Sequence, residues 1–446
     1  MPNMKTKLKI GVVGTGVAGM SAAWLLSQKH DVIVFEKDDR IGGHSNTVDA
    51  GDCHVDTGFI VYNEKNYPNL IALFDYLGVK TNETDMSFGV SIGAGDFEYS
   101  GTDLWGMLAQ KRNAFRPKFW KLLSDILRFY RETDAVLVNS DLQKMTLGEY
   151  LSANAYSKSF IKDHILPMGA AIWSTPMDKM LEYPLESFIR FCDNHGLLQV
   201  SDRPKWRTVR GGSRNYVKKI TAPYEKNIHL NRAVESVWSD ADKSYICDRN
   251  GVVEEFDHVV LATHGDQTRN FLPDDYRAER KIFSQFQYQP NIAHLHTDES
   301  LMPNTKRAWS SWNYLRDNVD GEDNVCVTYW MNRLQHLSGD RNYFVTLNPT
   351  RMPKEGSVIR SFLYHHPVFD RAAMSAQKLL WNLQGTRRIW YCGSYFGYGF
   401  HEDALQSGLA VAEQLGGLKR PWNVADESGR ITILPSQLNV DTKDAA

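Results

Sequence analysis

Three glycines near the N-terminus have the spacing of a phosphate-binding turn. Gly14, Gly16 and Gly19 form a G-x-G-x-x-G pattern. In a strand–turn–helix unit, the first glycine permits a tight turn, the second lets the backbone approach a pyrophosphate, and the third lets the helix pack on the strand. The N-terminus of the helix that follows this turn would offer free N–H groups and a partial positive charge to the phosphates. The pattern therefore predicts a dinucleotide site.

The residues around this turn complete a βαβ unit. Residues 8–13 and 32–35 are short apolar runs, and the second run ends at Glu36. An acid about 20 residues after the first glycine can accept both hydroxyls of an adenosine ribose. It also argues against NADP, because its charge would repel a 2′-phosphate. A plain glycine-rich turn is the alternative, but the two flanking runs and the acid favour a nucleotide site.

A second turn follows the second apolar run. It contains Lys37, Arg40, Gly42 and Gly43. A guanidinium beside two glycines can hold phosphate oxygens while the backbone passes close to the ligand. A surface turn that uses the glycine pair for its geometry is the alternative.

Residues 389–408 contain the last informative stretch. They predict a strand, a loop rich in glycine and aromatic residues, and a helix from about Glu402 to Leu415. A helix N-terminus aimed at the N1/C2=O edge of a flavin would stabilise the reduced ring by about 0.3–1 kcal/mol when exposed and up to ~2 kcal/mol when partly buried. An ordinary capped helix is the alternative. The polar chain after Gly417 is expected to be loosely held.

The length and composition fit a globular protein of two or three folding units. The chain has 446 residues, of which 42% are hydrophobic and 23% charged. Its 51 basic and 53 acidic residues nearly cancel, which argues against an electrostatic grip on nucleic acid. Five scattered cysteines favour neither a disulfide framework nor a metal cluster. No apolar run approaches the ~18 residues of a membrane span, so a cytoplasmic protein is expected.

Residues 112–131 combine basic and aromatic side chains on one predicted helix. Phe119, Leu122 and Ile126 recur at helical spacing, so a core-facing helix with a solvated basic face is one interpretation. A helix that rests on an anionic membrane surface is the other. Peripheral contact with the inner face of the membrane through this segment is therefore one of our expectations.

Together the motifs resemble the FAD-dependent amine oxidase, phytoene desaturase and protoporphyrinogen oxidase superfamily. VVGTGVAG, FEKDDRIGGH, DTGF, RGGS, VVLAT and GFHEDALQSG occur in that family's order. GSYFGYGFHEDALQSG and DTGFIVYNEKNYPNL are most similar to bacterial predicted NAD/FAD-binding proteins associated with cyclopropane-fatty-acyl-phospholipid synthase. The resemblance implies an FAD-dependent oxidoreductase that oxidises or desaturates a fatty-acyl or other lipid substrate.

The resemblance also implies an α/β fold, with a Rossmann-type, glutathione-reductase-like FAD-binding domain and a discontinuous α+β substrate domain. The chain from 265 to 344 is aromatic and shows no clear periodicity, so we expect it to be irregular. The implied division is 1–90, 205–265 and 345–420 for the FAD-binding domain, 91–204 and 266–344 for the substrate domain, and 421–446 for a C-terminal tail.

By the same resemblance, Glu36 would bind the adenosine ribose, and Val234 would contact the adenine through its backbone. His401 would present its N–H to the flavin O2. Many relatives carry an acid where Ser394 stands, so that ribityl contact is expected to be weaker or made differently. No cysteine lies at the upstream position where covalent relatives attach FAD, and the nearest one, Cys392, directly precedes Gly393, so noncovalent FAD is expected. The other expected contacts are Gly14, Gly16, Val17, Ala18, Gly19, Lys37, Arg40, Gly42, Gly43, His44, Gly58, Phe59, Thr263, Gly393, Glu402 and Ala404.

Flavin dehydrogenation needs no protein nucleophile, because hydride passes from a substrate C–H bond to the flavin N5. The sequence contains no G-x-S-x-G, H-E-x-x-H or metal-spaced acid cluster. His401 and Tyr391 are weak candidates for assisting proton transfer, although either can equally shape the pocket. His365 and His366 are neighbours on a predicted strand, where side chains point to opposite faces, so a catalytic role for either is disfavoured.

Two other functions use the same motifs. A flavin-containing amine oxidase would release peroxide with polyamines or arylalkylamines. A non-catalytic binding protein would resemble the Rab GDP-dissociation inhibitors, which share the N-terminal motif but have lost FAD binding. The presence of residues 40–43 and 399–408 argues against this last function. The expected partner is a small-molecule or lipid substrate rather than a nucleic acid.

Overall fold

The computed structural model describes residues 7–101, 103–173, 177–199, 204–319 and 322–433. The strands are β1 (Lys9–Val13), β2 (Asp31–Phe35), β3 (Thr47–Ala50), β4 (Cys53–Asp56), β5 (Tyr62–Asn63), β6 (Thr81–Thr84), β7 (Phe88–Ile92), β8 (Phe97–Ser100), β9 (Trp206–Val209), β10 (Ile228–His229), β11 (Val234–Ser239), β12 (Ser244–Asp248), β13 (Val253–Phe256), β14 (His258–Leu261), β15 (Gln287–His296), β16 (Trp312–Val319), β17 (Glu322–Trp330), β18 (Phe344–Leu347), β19 (Val358–Val368) and β20 (Ile389–Tyr391). The α-helices are α1 (Val17–Ser27), α2 (Pro68–Leu77), α3 (Leu104–Met107), α4 (Pro117–Val138), α5 (Leu147–Ala153), α6 (Lys158–Phe160), α7 (Leu166–Trp173), α8 (Met177–Leu181), α9 (Leu185–Asn194), α10 (Arg214–Thr221), α11 (Gly265–Phe271), α12 (Arg277–Phe283), α13 (Met331–Gln335), α14 (Arg371–Leu380) and α15 (His401–Gly416).

A parallel sheet carries the glycine-rich turn. Its strand order is β10-β2-β1-β14-β20, and each neighbouring pair is parallel. Apolar residues of β1 and β14, such as Val12 and Val260, are completely buried. Parallel sheets are covered on both faces, so their strands are near-continuous apolar runs. The predicted βαβ unit and the α/β fold are therefore confirmed.

Helices α1 and α15 cross beside this sheet. The residues of α1 from Val17 to Leu26 are all buried, which is typical of a helix packed on every side. A Cβ atom at Gly408 of α15 would lie 2.2 Å from the carbonyl oxygen of Ala18 in α1. Because the two helices touch at this glycine, the N-terminus of α15 is held close to the glycine-rich turn.

A second, mixed sheet has the order β19-β15-β18-β17-β16-β7-β8. Its strands β15, β16 and β17 occupy the region 265–344, so the prediction that this region is irregular is wrong. Buried polar residues interrupt the apolar alternation there. His296 Nε2 lies 2.7 Å from the hydroxyl of Thr346, which lies 2.8 Å from that of Thr328. Such residues are tolerated in the interior because each has a hydrogen-bond partner.

Two boundaries drawn from the sequence differ from the structure. The division implied by the sequence places β19 in the FAD-binding domain, but this strand is the edge strand of the second sheet and pairs with β15. The segment after Gly417 was expected to be loose, yet Arg420 is 4% and Ile431 8% exposed. The charged residues of this segment suggested a solvated chain, but they are paired within the fold. Arg420, for example, lies 2.7 Å from the carboxylate of Glu413. The rest of the predicted tail, 434–446, lies outside the described residues.

The predicted basic helix is α4. Phe119, Leu122 and Phe129 are buried on its inner side, whereas Trp120 is 51% exposed. Among the described helices, none is both long and apolar enough to cross a bilayer.

Candidate active site

Residues of both sheets line one cavity of about 1630 Å³. The glycine-rich turn, the second turn and the first residues of α15 form part of its wall. Aromatic side chains of the second sheet and of the helical segment form another part. Motifs that are far apart in the chain therefore meet at one cavity.

All but two of the residues expected to contact the cofactor line this cavity. Gly19 does not, because it packs α1 on the turn: a Cβ there would lie 2.0 Å from the carbonyl oxygen of Gly14. The carboxylate of Glu402 accepts hydrogen bonds from the backbone N–H groups of Asn69 and Leu70, both at 3.0 Å. It therefore caps the N-terminus of α2 instead of facing the cavity.

The two candidates for proton transfer lie in different places. Tyr391 is 1% exposed, and its ring packs on Phe283 with 4.9 Å between centroids, so it does not reach the cavity and the structure contradicts this candidate. His401 lines the cavity and stacks on Phe59 with 3.8 Å between centroids. The hydroxyl of Tyr216 lies 2.7 Å from its Nε2. Burial lowers the pKa of His401 to about 3, so the ring is neutral at pH 7.

Glu36 is oriented by the backbone of both turns. The N–H of Thr15 donates to its Oε2 at 2.9 Å, and the N–H of Asp38 donates to its Oε1 at 3.0 Å. The carboxylate is thus fixed at the cavity wall, at the end of β2 where an adenosine ribose is expected.

Asp56 connects two of the sequence motifs. Its carboxylate accepts from the N–H of Ser213 at 2.9 Å, from the hydroxyl of Thr47 at 2.6 Å and from Nε2 of Gln335 at 2.8 Å. Burial raises the pKa of Asp56 to about 6, although these Thr47 and Ser213 contacts oppose the shift. The DTGF and RGGS segments are therefore held together behind Phe59, which lines the cavity.

Open space and unpaired polar atoms near the turns fit a bound dinucleotide. A Cβ at Gly16 would meet no atom within 4 Å, and no side chain caps α1. Arg40 donates through Nη2 to the carbonyl of Gly43 at 2.8 Å, whereas Arg40 Nη1 and His44 Nε2 are buried without a partner among the described residues. A buried unpaired polar group costs about 1–3 kcal/mol. The phosphates and hydroxyls of FAD would satisfy both atoms.

Beyond Phe59 and His401 the wall is mostly apolar, and we call this part of the cavity the apolar chamber. Two charged side chains lie on its wall. Asp85 is paired with Arg333, whose Nη2 lies 2.5 Å from its Oδ2. Arg360 is exposed to solvent and forms no ion pair with any described carboxylate; its guanidinium lies 5.5 Å from the ring centroid of Phe362. The chamber is defined by Ile60, Tyr67, Asp85, Met86, Phe88, Tyr130, His164, Met168, Phe191, His195, Trp206, Trp312, Tyr329, Leu347, Arg360, Phe362 and Tyr364.

Sequence reasoning missed His164, His195 and Arg360. The two histidines lie in the helical region, where no motif marks them. Arg360 belongs to a row of alternate residues on β19 that ends at His366, and the period of two was the available signal. His365 and His366 of β19 both line the cavity.

The fold and the site define a dinucleotide-binding α/β protein whose cofactor cleft opens into an apolar chamber. Residues 17–416 match the family described as flavin containing amine oxidoreductase. This match covers most of the chain, so the protein belongs to the flavin containing amine oxidoreductase family. Family membership confirms the expected superfamily and the cofactor FAD.

Known relatives share parts of the sequence or the whole fold. Zeta-carotene desaturase of Solanum lycopersicum is 29% identical over 196 residues, which are 39% of this chain and 32% of that protein. The chain thus spans about a third of the length of the curated relatives it matches. A CLA-producing fatty acid isomerase from P. acnes has a TM-score of 0.64 at 15% identity, covering 92% of this chain and 98% of its own. Putrescine oxidase has a TM-score of 0.66 at 14% identity, covering 92% and 99%. These two structures establish the fold alone.

Proposed function

We propose that the protein uses FAD to remove hydrogens from a fatty-acyl or other lipid substrate. The observation that supports this most is the apolar chamber, whose wall carries Arg360, a solvent-exposed cation that has no ion-pair partner among the described residues. A long apolar chain fits aromatic walls, and a carboxylate or phosphate at one end fits a guanidinium. When bound, FAD accepts a hydride from a substrate C–H bond at its N5.

Strand β19 offers a track for such a chain. Arg360, Phe362 and Tyr364 alternate along one face, and the Cα atoms of the first and last are about 13 Å apart at ~3.3 Å per residue. The ring of Tyr364 stacks on His44 with 5.0 Å between centroids, and its hydroxyl is fixed at 2.9 Å from Nδ2 of Asn46. A substrate with its anionic end at Arg360 would bring a methylene segment beside His44, an expected cofactor contact.

An amine substrate fits this chamber less well. The aromatic rings of the chamber can contact a cationic amine, but a free carboxylate would bind it more strongly. In the described part of the chamber Asp85 is neutralised by Arg333, and Arg360 would repel an ammonium group. Among the proteins compared above, zeta-carotene desaturase and fatty acid isomerase are named for long apolar substrates, and putrescine oxidase for an amine. Both substrate classes therefore belong in the test.

The test is an anaerobic titration of the FAD-loaded protein, followed by loss of the flavin's visible absorbance. The panel contains unsaturated fatty acids, phospholipids with unsaturated or cyclopropane acyl chains, putrescine and an arylalkylamine. We expect bleaching by a lipid, with mass spectrometry showing a product that has lost two hydrogens. Bleaching by an amine alone, or by no member of the panel, would overturn the proposal.

Arg360→Leu in the same titration tests whether Arg360 binds the anionic end of the substrate. Losing a charge-assisted hydrogen bond of about 1.5–3 kcal/mol should raise the lipid concentration for half-maximal bleaching about 10- to 100-fold. The limiting rate should stay unchanged, since Arg360 would bind the end of the substrate and not its reacting carbons. Arg371→Leu, at the exposed start of α14, is the matched control and should behave like the wild type.

We also propose that α4 and the residues before it rest on a membrane surface. Trp105, Phe115 and Trp120 are 73%, 88% and 51% exposed, and aromatic side chains favour the lipid–water interface. Tyr130, which lies further along α4, lines the cavity. Lipid could therefore reach the chamber beside this helix. Several bases of the segment are ion-paired, for example Lys121 with Asp125, so we expect aromatic burial to contribute more than charge.

Vesicle flotation examines this contact. Wild-type protein should float with phosphatidylglycerol vesicles, and added salt should weaken the binding only modestly. Trp105→Ser/Trp120→Ser should reduce binding by more than about tenfold, because burying a large apolar side chain contributes roughly 1.5–3 kcal/mol that the variant loses. Val253→Ser, at a site that is 51% exposed on β13, is the control and should bind normally. Equal flotation of the aromatic variant would contradict the proposed surface.

A further inference from the structure

Two histidines of the apolar chamber hold one ring nitrogen in a hydrogen bond and leave the other free. Nδ1 of His195 lies 2.8 Å from the carbonyl oxygen of Phe191. Because a carbonyl can only accept, Nδ1 carries the proton and Nε2 carries a lone pair. That Nε2 is buried without a hydrogen-bond partner in the described part of the chain, and His195 lines the cavity while only 4% exposed.

His164 has the same tautomer, which is fixed through the hydroxyl of Tyr99. The hydroxyl of Tyr99 donates to the carbonyl of Asp163 at 2.7 Å, so it accepts from Nδ1 of His164 at 3.1 Å. Nε2 of His164 is likewise buried and unpaired among the described atoms. The chamber thus contains two neutral nitrogen acceptors on a mostly apolar wall. Leaving such an acceptor unsatisfied costs about 1–3 kcal/mol, which points to a role with a ligand.

The neighbours of His195 place it at the cofactor end of the chamber. Its ring stacks on Phe191 with 3.8 Å between centroids and lies 5.7 Å from Phe400. Phe400 directly precedes His401, the residue expected to meet the flavin. The ring of His164 instead contacts Tyr99 and Phe160. Of the two free acceptors, His195 is the one beside the expected reacting centre.

We infer that His195 Nε2 accepts the proton released when the substrate is oxidised. This inference rests on the proposed function. Forming a double bond breaks two C–H bonds on neighbouring carbons. The electron pair of the first leaves with its hydrogen as hydride and reduces FAD by two electrons. The electron pair of the second becomes the new carbon–carbon bond, and its proton forms an N–H bond with Nε2, giving an imidazolium.

The surroundings of His195 suit this step. Burial lowers the pKa of His195 to about 3, and the charges of Arg430 and Lys65 act in the same direction. The ring is therefore neutral at pH 7, and its lone pair is available before the step. A weak base suffices, since a proton next to a carbon that is losing hydride is strongly acidic. The hydrogen bond to Phe191 then stabilises the imidazolium as it forms.

Two substitutions separate proton acceptance from hydrogen bonding. His195→Phe preserves the aromatic stack without an acceptor, and His195→Gln offers an amide oxygen that accepts a hydrogen bond but not a proton. Both should lower the limiting rate of lipid-dependent flavin reduction by about 10²–10⁴-fold while retaining FAD with an unchanged spectrum. His54→Gln, an exposed histidine on β4, should keep the wild-type rate. A wild-type rate in the Gln variant would overturn the inference, whether or not the Phe variant is slow.

A measurement on the resting protein complements the kinetics. In protein labelled with ¹⁵N-histidine, and with His195→Gln used for assignment, His195 should show a protonated Nδ1 and an unprotonated Nε2. The opposite tautomer would overturn the inference. Absence of bleaching of the wild type by any lipid would instead overturn the proposed function, so the two failures are distinguishable.

Discussion

Gly16→Ala is expected to weaken FAD binding about 10- to 100-fold and to leave the thermal stability of the FAD-free protein unchanged. The new methyl group would meet no protein atom within 4 Å, and Gly16 has φ −61° and ψ 169°, which alanine adopts freely. The methyl group would instead occupy cavity space beside the N-terminus of α1. Losing one charge-assisted hydrogen bond to a phosphate costs about 1.5–3 kcal/mol, and each 1.4 kcal/mol is tenfold in Kd.

Gly19→Ala is the matched control for this prediction. Its methyl group would lie 2.0 Å from the carbonyl oxygen of Gly14, so α1 would have to move away from the turn. The Tm of the FAD-free protein should therefore fall by several degrees in this variant and not in Gly16→Ala. Calorimetry of both apoproteins and FAD titration of both variants measure the two effects. An equal drop in Tm, or unaltered FAD affinity in Gly16→Ala, would contradict the assignment of Gly16 to a cofactor cradle.

The cofactor half of the site could be predicted because each of its motifs is local. Residues 9–36 form one βαβ unit in which turn, helix and acid follow at fixed spacing. The apolar chamber has no such signal, since Tyr130, His195 and Arg360 come from three separate elements that only tertiary packing brings together. Glu402 shows the limit within a motif: His401 and Ala404 line the cavity, but the side chain of Glu402 caps another helix.

The C-terminal segment is the clearest case in which charge concealed packing. Arg430 lies with Nε 2.7 Å from Oδ1 of Asp403, and that aspartate is completely buried. Nη1 of Arg430 also donates to the carbonyl of Asn66 at 2.9 Å. Asp403 in turn accepts from the N–H of Phe400 at 2.7 Å. Residues 421–433 therefore fasten the first turn of α15, where His401 lies, to the chain before α2.

Arg430→Met is expected to destabilise the protein by about 3–5 kcal/mol, because it leaves a buried carboxylate without its counter-charge. Burial already raises the pKa of Asp403, and Arg430 lowers it, so the pKa should rise further in the variant. The folded-state pKa of Asp403 then lies above its unfolded-state value of about 3.9. The contribution of this carboxyl group to stability is therefore fully present below pH ~3.9 and is lost as the pH rises through the folded-state pKa. The deficit of the variant in urea unfolding should therefore be larger at neutral pH than in mild acid.

The double variant Arg430→Met/Asp403→Asn supplies the control. The amide oxygen of Asn can still accept from the N–H of Phe400, and no unpaired charge remains, so the double variant should be more stable than Arg430→Met alone. The double variant should be more stable than the sum of the two single losses predicts, by about 0.5–3 kcal/mol. Additive losses would mean that the ion pair does not hold α15. FAD affinity should follow the same order, because the N-terminus of α15 lies at the cavity wall and moves when this pair is broken.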